Sequence, residues 1–287
     1  MRSWIAGIVG LLVVGGSALA QGVAPIGGPF QVNAYTTKQQ QQPQVAKDDQ
    51  GDFVAVWRSL GSYGDDAGES IQARRFAANG QPKDVDFQVN TYTHAGQEWP
   101  DVAVGPQGDF VVVWKSTYSD GLDTSWSIQG QRFDASGSPV GIQFEVNAYT
   151  TGGQSHPEVA RDPQGNFVVV WQSLGSYGAD NVWESIQALR FDDTGTPVGA
   201  QFQVNSYTSQ NQYPARVGVD EQGDFVVVWG SKGSYGTDLG KGWSIQAQLY
   251  ENDGTPDGGQ FQVNTYTTSH QNRPNIAVNA AGDFVVT

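Results

Sequence analysis

The 287-residue chain contains no cysteine. That excludes disulfides, thiolate metal sites and a cysteine nucleophile. Basic residues are scarce: 15 Lys and Arg stand against 29 Asp and Glu, a net charge of −14. This shortage argues against nucleic acid and against anionic membrane surfaces as partners, since both select basic patches. Beyond the first twenty residues no apolar run approaches the ~18 residues of a membrane span, and no stretch carries the 3.6-residue periodicity of an amphipathic helix. Glycine and aromatics are plentiful instead. There are 37 Gly, with 9 Trp, 11 Tyr and 13 Phe, so turns are frequent and much of the core is aromatic.

The start reads as a secretory signal peptide over residues 1–20. Arg2 supplies the positive charge, Ile5 to Gly16 is apolar and uncharged, and Ala18 and Ala20 make a small-x-small cleavage site. An uncleaved anchor is the alternative. Residues 21–28 read as a linker and 29–287 as a repeat domain. Export without cysteine points to a bacterial protein, secreted or at the cell surface.

Self-similarity decides the fold class. Phe30-Gln31-Val32-Asn33 returns at Phe87, Phe144, Phe202 and Phe261, in steps of 57, 57, 58 and 59. Gly51-Asp52-Phe53-Val54-Ala55-Val56-Trp57 returns at Gly108, Gly165 and Gly223 and begins again at Gly282. Ser70-Ile71-Gln72 returns at Ser127, Ser185 and Ser244. Each repeat reads as four short strands, here named A to D: in the second repeat, A follows Pro100, B is Phe110–Trp114, C is Ser127–Phe133 and D is Gln143–Asn147. Strand B is apolar at consecutive positions and so expects burial on both faces. A four-stranded antiparallel sheet sandwiched between like sheets describes an all-β, β-propeller-like fold, with four full repeats and a partial fifth. An open array of β modules is the alternative. The chain stops inside strand B of the fifth repeat and starts with a lone strand D at Phe30–Asn33, so a truncated ring is expected.

Length varies only between strands B and C, where the Trp-to-Ser interval is 13, 13, 14 and 15 residues. The B–C loops and the D–A connections share one end of the sheet, and variation belongs on the face that binds. The aromatics that break the repeat on that face are Trp99, Trp126, Trp183, Trp243 and Tyr213, the candidate ligand-binding platforms for sugar rings or partner side chains. Tyr63, Tyr177 and Tyr235 recur in register and read as loop packing, while Trp57, Trp114, Trp171 and Trp229 read as fillers between blades. The repeated Gln40, Gln97, Gln154, Gln212 and Gln271, with the Asn of each Phe-x-Val-Asn box, read as structural amides that satisfy turn backbone. Just before the Pro position stand Trp99, His156, Pro214 and Arg273, which differ from blade to blade. No cofactor is expected. Asp120 with Asp123, or Asp65 with Asp66, offers hard oxygen ligands for calcium, but neither pair has the EF-hand pattern, and solvated turn acids are the preferred reading. No catalytic residue is assigned: His94, His156 and His270 sit at different offsets, and no zinc spacing or nucleophile elbow appears.

The unit Phe-Gln-Val-Asn-x-Tyr-Thr, Gly-Asp-Phe-Val-Val-Val-Trp and Ser-Ile-Gln-Ala-x-Arg-Phe-Asp resembles a repeat of large secreted and surface proteins of bacteria, over about residues 29–287. The resemblance implies a β-propeller-like fold and no particular activity. The expectation is therefore an exported, non-enzymatic recognition or adhesion protein that binds glycan or protein through its B–C and D–A loops, without nucleic acid or membrane insertion. The alternatives are a sugar-processing propeller hydrolase or lyase and a purely structural surface repeat. An enzyme would break the repeat symmetry by gathering acids and bases in one central funnel.

Overall fold

The structure is a computed structural model and describes residues 28–61, 68–93, 95–117, 125–150, 152–175, 183–233, 242–266 and 269–287. The segment expected to be a signal peptide, most of the expected linker, the loop acids Asp65, Asp66, Asp120 and Asp123, the loop tyrosines Tyr63, Tyr177 and Tyr235, and His94 lie outside the described residues.

The strands fall into sheets in chain order. The first sheet is β1 (Gln40–Lys47), β2 (Phe53–Leu60), β3 (Glu69–Phe76) and β4 (Phe87–Gln88). The second is β5 (Gln97–Val104), β6 (Phe110–Thr117), β7 (Trp126–Phe133) and β8 (Pro139–Glu145). The third is β9 (Gln154–Arg161), β10 (Phe167–Leu174), β11 (Glu184–Phe191) and β12 (Pro197–Gln203). The fourth is β13 (Gln212–Val219), β14 (Phe225–Lys232), β15 (Trp243–Tyr250) and β16 (Pro256–Gln262), and a two-stranded fifth holds β17 (Ile276–Val278) and β18 (Phe284–Val286). All pairings are antiparallel. The four-stranded blades expected from the repeat are present, and the sheets do not close into one barrel.

Local chemistry makes the hairpins. In the A–B turn of the first blade, Asp48 Oδ1 accepts the backbone N–H groups of Gln50 and Asp52 at 2.8 and 2.9 Å, and Gly51 supplies the positive φ of 86°. Asp134 does the same in a C–D turn, accepting from Ser136 and Ser138 at 2.8 and 2.9 Å. That turn pairs Pro139 with Phe133 directly, so strand D begins at Pro139 rather than at the expected Gln143. It ends at Glu145 because the box Asn leaves the sheet: Asn147 Oδ1 accepts the N–H of Ile128 at 2.5 Å, and its Nδ2 donates to Tyr149 O at 3.0 Å.

Strand B is buried on both faces, and its alternate side chains serve different neighbours. Val111 and Val113 of β6 join Val169 and Trp171 of the third blade, while Val112 and Trp114 join Val54 and Val56 of the first. Each strand-B Trp is also fixed from within its own blade. The indole N–H of Trp114 donates to Gln97 Oε1 at 2.8 Å, and Trp57, Trp171 and Trp229 repeat the bond with Gln40, Gln154 and Gln212 at 2.9, 2.9 and 3.1 Å. The repeated Gln is therefore structural: its Oε1 takes the indole N–H, and in the first and fourth blades its Nε2 also donates to loop backbone, to Thr37 O at 3.3 Å and Gln210 O at 3.1 Å.

Phe30–Asn33 forms no strand. Phe30 lies against Phe76, ring centroids 5.7 Å apart, in the way Phe87 lies against Phe133 at 5.7 Å in the next blade. Val32 packs with Ala55, Trp57 and Phe76 on the first blade's outer face. The segment thus makes the packing of a strand D without its hydrogen-bonded ladder.

The A strands stand side by side: β1 touches β5, β5 touches β9, β9 touches β13 and β13 touches β17. Strand A is consequently the innermost strand of each blade, and its side chains face the axis.

Candidate active site

Strand A of each of the four four-stranded blades enters the sheet through a bulge. The ladder to strand B slips between Gln41 and Gln44, between Glu98 and Asp101, and at the corresponding points of the third and fourth blades. The bulged residues Gln42, Trp99 and His156, and Arg273 at the equivalent position before β17, have φ of 53, 54, 51 and 57°. All four precede a proline, where the left-handed region is unfavourable for a side chain. Bulges re-aim side chains beside functional sites, and strained backbone gathers there. Here they turn the variable residue toward the axis. In the fourth blade a cis Tyr213–Pro214 bond occupies the place.

The result is a funnel of about 350 Å³ at the D–A end of the axis, lined from all five blades by, among others, Gln42, Trp99, His156, Glu158, Tyr213 and Arg273. Two residues past the bulge, the strands present Gln44, Asp101, Glu158, Arg216 and Asn275. Asp101 and Glu158 share a side-chain hydrogen bond. Arg216 Nη1 donates to Glu158 Oε1 at 2.5 Å, and Asp101 Oδ2 accepts the N–H of Val159 at 2.8 Å. Burial pushes Asp101 up to about 6, against the pull of two backbone N–H groups and Arg216. Burial and the neighbouring Asp101 charge likewise hold Glu158 well above the ordinary carboxylate range, despite Arg216. Two carboxyls this close cannot both ionise cheaply, so the pair retains a proton near neutral pH.

His156 stacks at a tilt on Trp99, centroids 4.3 Å apart, with Tyr213 at 6.5 Å on its other side. Its Nδ1 lies 3.2 Å from Ser155 Oγ. Burial, then the nearby Lys115 and Arg216 charges, hold the imidazole below its usual pKa of 6.5. It is therefore neutral at neutral pH. Outside it runs an ionic chain: Lys115 Nζ sits 2.7 Å from Glu98 Oε2, and Arg58 bridges Glu69 and Glu98.

Of the platforms named from sequence, Trp99 and Tyr213 line the funnel, and Trp243 meets Tyr213 edge-on at 5.2 Å. Trp126 lies under Lys115 Nζ, 4.0 Å from the ring centroid, and close to Gly153 of the next blade. Trp183 precedes β11 on the third blade. Trp99, Trp126, Trp183 and Tyr213 are 39, 45, 47 and 36% exposed. Sequence reasoning missed Asp101, Glu158, Arg216 and Lys115. The signal was available: one alignment column, four residues after the repeated Gln, changes from Gln to Asp, Glu, Arg and Asn between copies that are otherwise alike. At the opposite mouth Asp48, Asp162 and Asp220 bind their own turn amides, with Lys47, Asp49, Arg161 and Glu221 lining the same space.

No protein-family model matches the chain, and no curated protein matches it in sequence. Solved structures do resemble it. The Penicillium chrysogenum α-L-arabinanase complexed with arabinobiose is 15% identical over 88% of this chain and 76% of that chain, with a TM-score of 0.51. An endo-arabinase from Bacteroides thetaiotaomicron is 13% identical over 87% of this chain and 89% of its own, TM-score 0.49. A polysaccharide lyase, the PL25 ulvan lyase, is 12% identical over 83% of this chain and 61% of its own, TM-score 0.49. At such identities the likeness shows fold.

The expectation of a non-enzymatic recognition or adhesion module is corrected on two grounds. One is the likeness in fold to an arabinanase complexed with arabinobiose, a sugar-processing protein. The symmetry-breaking cluster of acids and bases that an enzyme requires, and that the sequence did not reveal, stands in the funnel. The chain is thus a β-propeller-like array of four-stranded antiparallel blades with a charged funnel on its axis.

Proposed function

We propose that the protein is an exported enzyme that cleaves a glycan chain seated in the axial funnel. The observation that carries this reading is the proton-retaining Asp101–Glu158 pair, anchored by Arg216 at the axis. A carboxyl kept protonated near pH 7 is suited to donate a proton to a departing glycosidic oxygen. Trp99 and Tyr213 offer aromatic faces to sugar rings within reach of that proton, with Trp243 behind them and Trp126 and Trp183 as outer contacts for a longer chain. The signal-like first twenty residues agree with a substrate met outside the cell.

The test is the release of new reducing ends from a panel of neutral and acidic polysaccharides by the protein freed of residues 1–20. Cleavage of at least one polymer is expected, with Glu158→Gln losing about 10²-fold or more in kcat while keeping its fold by circular dichroism. Full activity in that variant, or no new ends from any polymer, overturns the reading.

A further inference from the structure

We infer that the funnel cleaves a uronic-acid polysaccharide by β-elimination. This rests on the preceding reading and names its substrate class and reaction.

The carboxyl geometry points away from hydrolysis. A glycoside hydrolase flanks the scissile bond with two carboxyls, about 5–5.5 Å apart for retention and about 6.5–9.5 Å for inversion. Asp101 and Glu158 hydrogen-bond to each other and make one locus rather than two. Glu158 is the acidic side chain among the described residues lining the funnel. Glu98 is turned into its ion pairs with Lys115 and Arg58.

What the funnel holds instead is a neutral base and two guanidinium groups. His156 is half-buried against the Trp99 ring at the funnel wall, its Nδ1 3.2 Å from Ser155 Oγ and Gln172 a further polar neighbour. Arg216 and Arg273 line the same space from the fourth and fifth blades. Arg216 is already ion-paired with Glu158, so in a chain of net charge −14 it is Arg273 that is placed to meet a substrate anion, and a guanidinium matches a carboxylate in two-point geometry.

These groups match the needs of elimination from a 4-linked uronate. An arginine-bound carboxylate acidifies the adjacent C5–H. His156 removes that proton, and the C–H electron pair becomes the C4=C5 double bond. The C4–O bond breaks, and the leaving oxygen takes the proton held by the Asp101–Glu158 pair. One chain yields a new reducing end and a 4,5-unsaturated uronate; no water is consumed and nothing is oxidised or reduced. The two protonated states then exchange their proton through solvent to reset the site.

The experiment compares polyuronates (polygalacturonate, alginate and a glucuronate-containing glycan) with the same polymers after carboxyl reduction. Reducing ends and the ultraviolet absorbance of the conjugated double bond are read together. The expected result is one unsaturated unit per reducing end, and cleavage lost on carboxyl reduction. Arg273→Gln should raise KM at least fivefold with an unchanged melting temperature, and His156→Gln should lower kcat about 10²-fold or more. Reducing ends without ultraviolet absorbance overturn elimination and leave the glycan-cleaving reading standing. Cleavage of the carboxyl-reduced polymers overturns the uronate requirement. No reducing ends from any polymer overturn both.

Discussion

Asp101 and Glu158 place two acidic groups where one proton must be shared, and this has a stability consequence opposite to that of a surface ion pair. An acid whose folded pKa is raised binds more protons when native than when unfolded, so its contribution to stability falls as pH rises between the two pKa values. For Asp101 that window runs from 3.8 to about 6. Asp101→Asn removes the second charge but keeps an oxygen for the Val159 N–H. The variant should therefore gain on the wild type across that window, reaching about 1–3 kcal/mol above it. Urea denaturation of both proteins at pH 4, 5, 6 and 7 measures the difference. A gap that is constant with pH, or that closes as pH rises, would show that the carboxyls do not share a proton. A site that costs stability at its working pH is what chemistry, rather than packing, leaves behind.

At the scale of the element, the blade was legible and the site was not. Strand B announced itself through unbroken apolar runs, and the Asp-Gly turns through their spacing. The bulge in strand A was hidden because Gln42, Trp99, His156 and Arg273 share no side-chain chemistry; what they share is a left-handed backbone before proline, which only the folded strand reveals. Asp101, Glu158 and Arg216 escaped for a related reason, since residues 57 and 58 positions apart meet only when strands A converge. The B–C loop is different, because its base can be read directly. Gly233 N–H donates to Gly242 O at 2.9 Å, and Gly61 N–H to Gly68 O at 3.1 Å, so two loops of different length close on the same bond. Deleting two residues between Gly233 and Gly242 restores the shorter spacing of the first blade. The change in stability should stay below about 0.6 kcal/mol, the cost of a twofold change in loop length. Thermal melts of the deletion variant test this, and loss of cooperative unfolding would make the loop part of the scaffold.

At the scale of the whole molecule, each blade is held by the blades beside it. Blade-to-blade links are short and local: the Arg132 guanidinium donates to Asp193 O at 2.7 Å across the third-blade turn, Arg190 reaches Asn252 O in the fourth, and the fourth blade has Leu249 where the others have arginine. The fifth sheet pairs only Ile276–Val278 with Phe284–Val286 and packs on β13. Stability in such an array is a sum of blade terms and nearest-neighbour terms. Amide exchange should accordingly be slowest in β6 and β10, which have packed blades on both faces, and at least tenfold faster in β17 and β18. Trp114→Ala probes how far the coupling reaches. It empties a fully buried site between the first and second blades and should cost about 3–5 kcal/mol. Because Trp114 packs with Val54, Val56 and Ile71, protection should fall in β2, β3 and β6 together, while β14, two blades away, keeps its rate. Equal losses in every strand would mean that the blades unfold as one unit, and that the axial funnel is held by the array as a whole and not by the pairs of blades that line it.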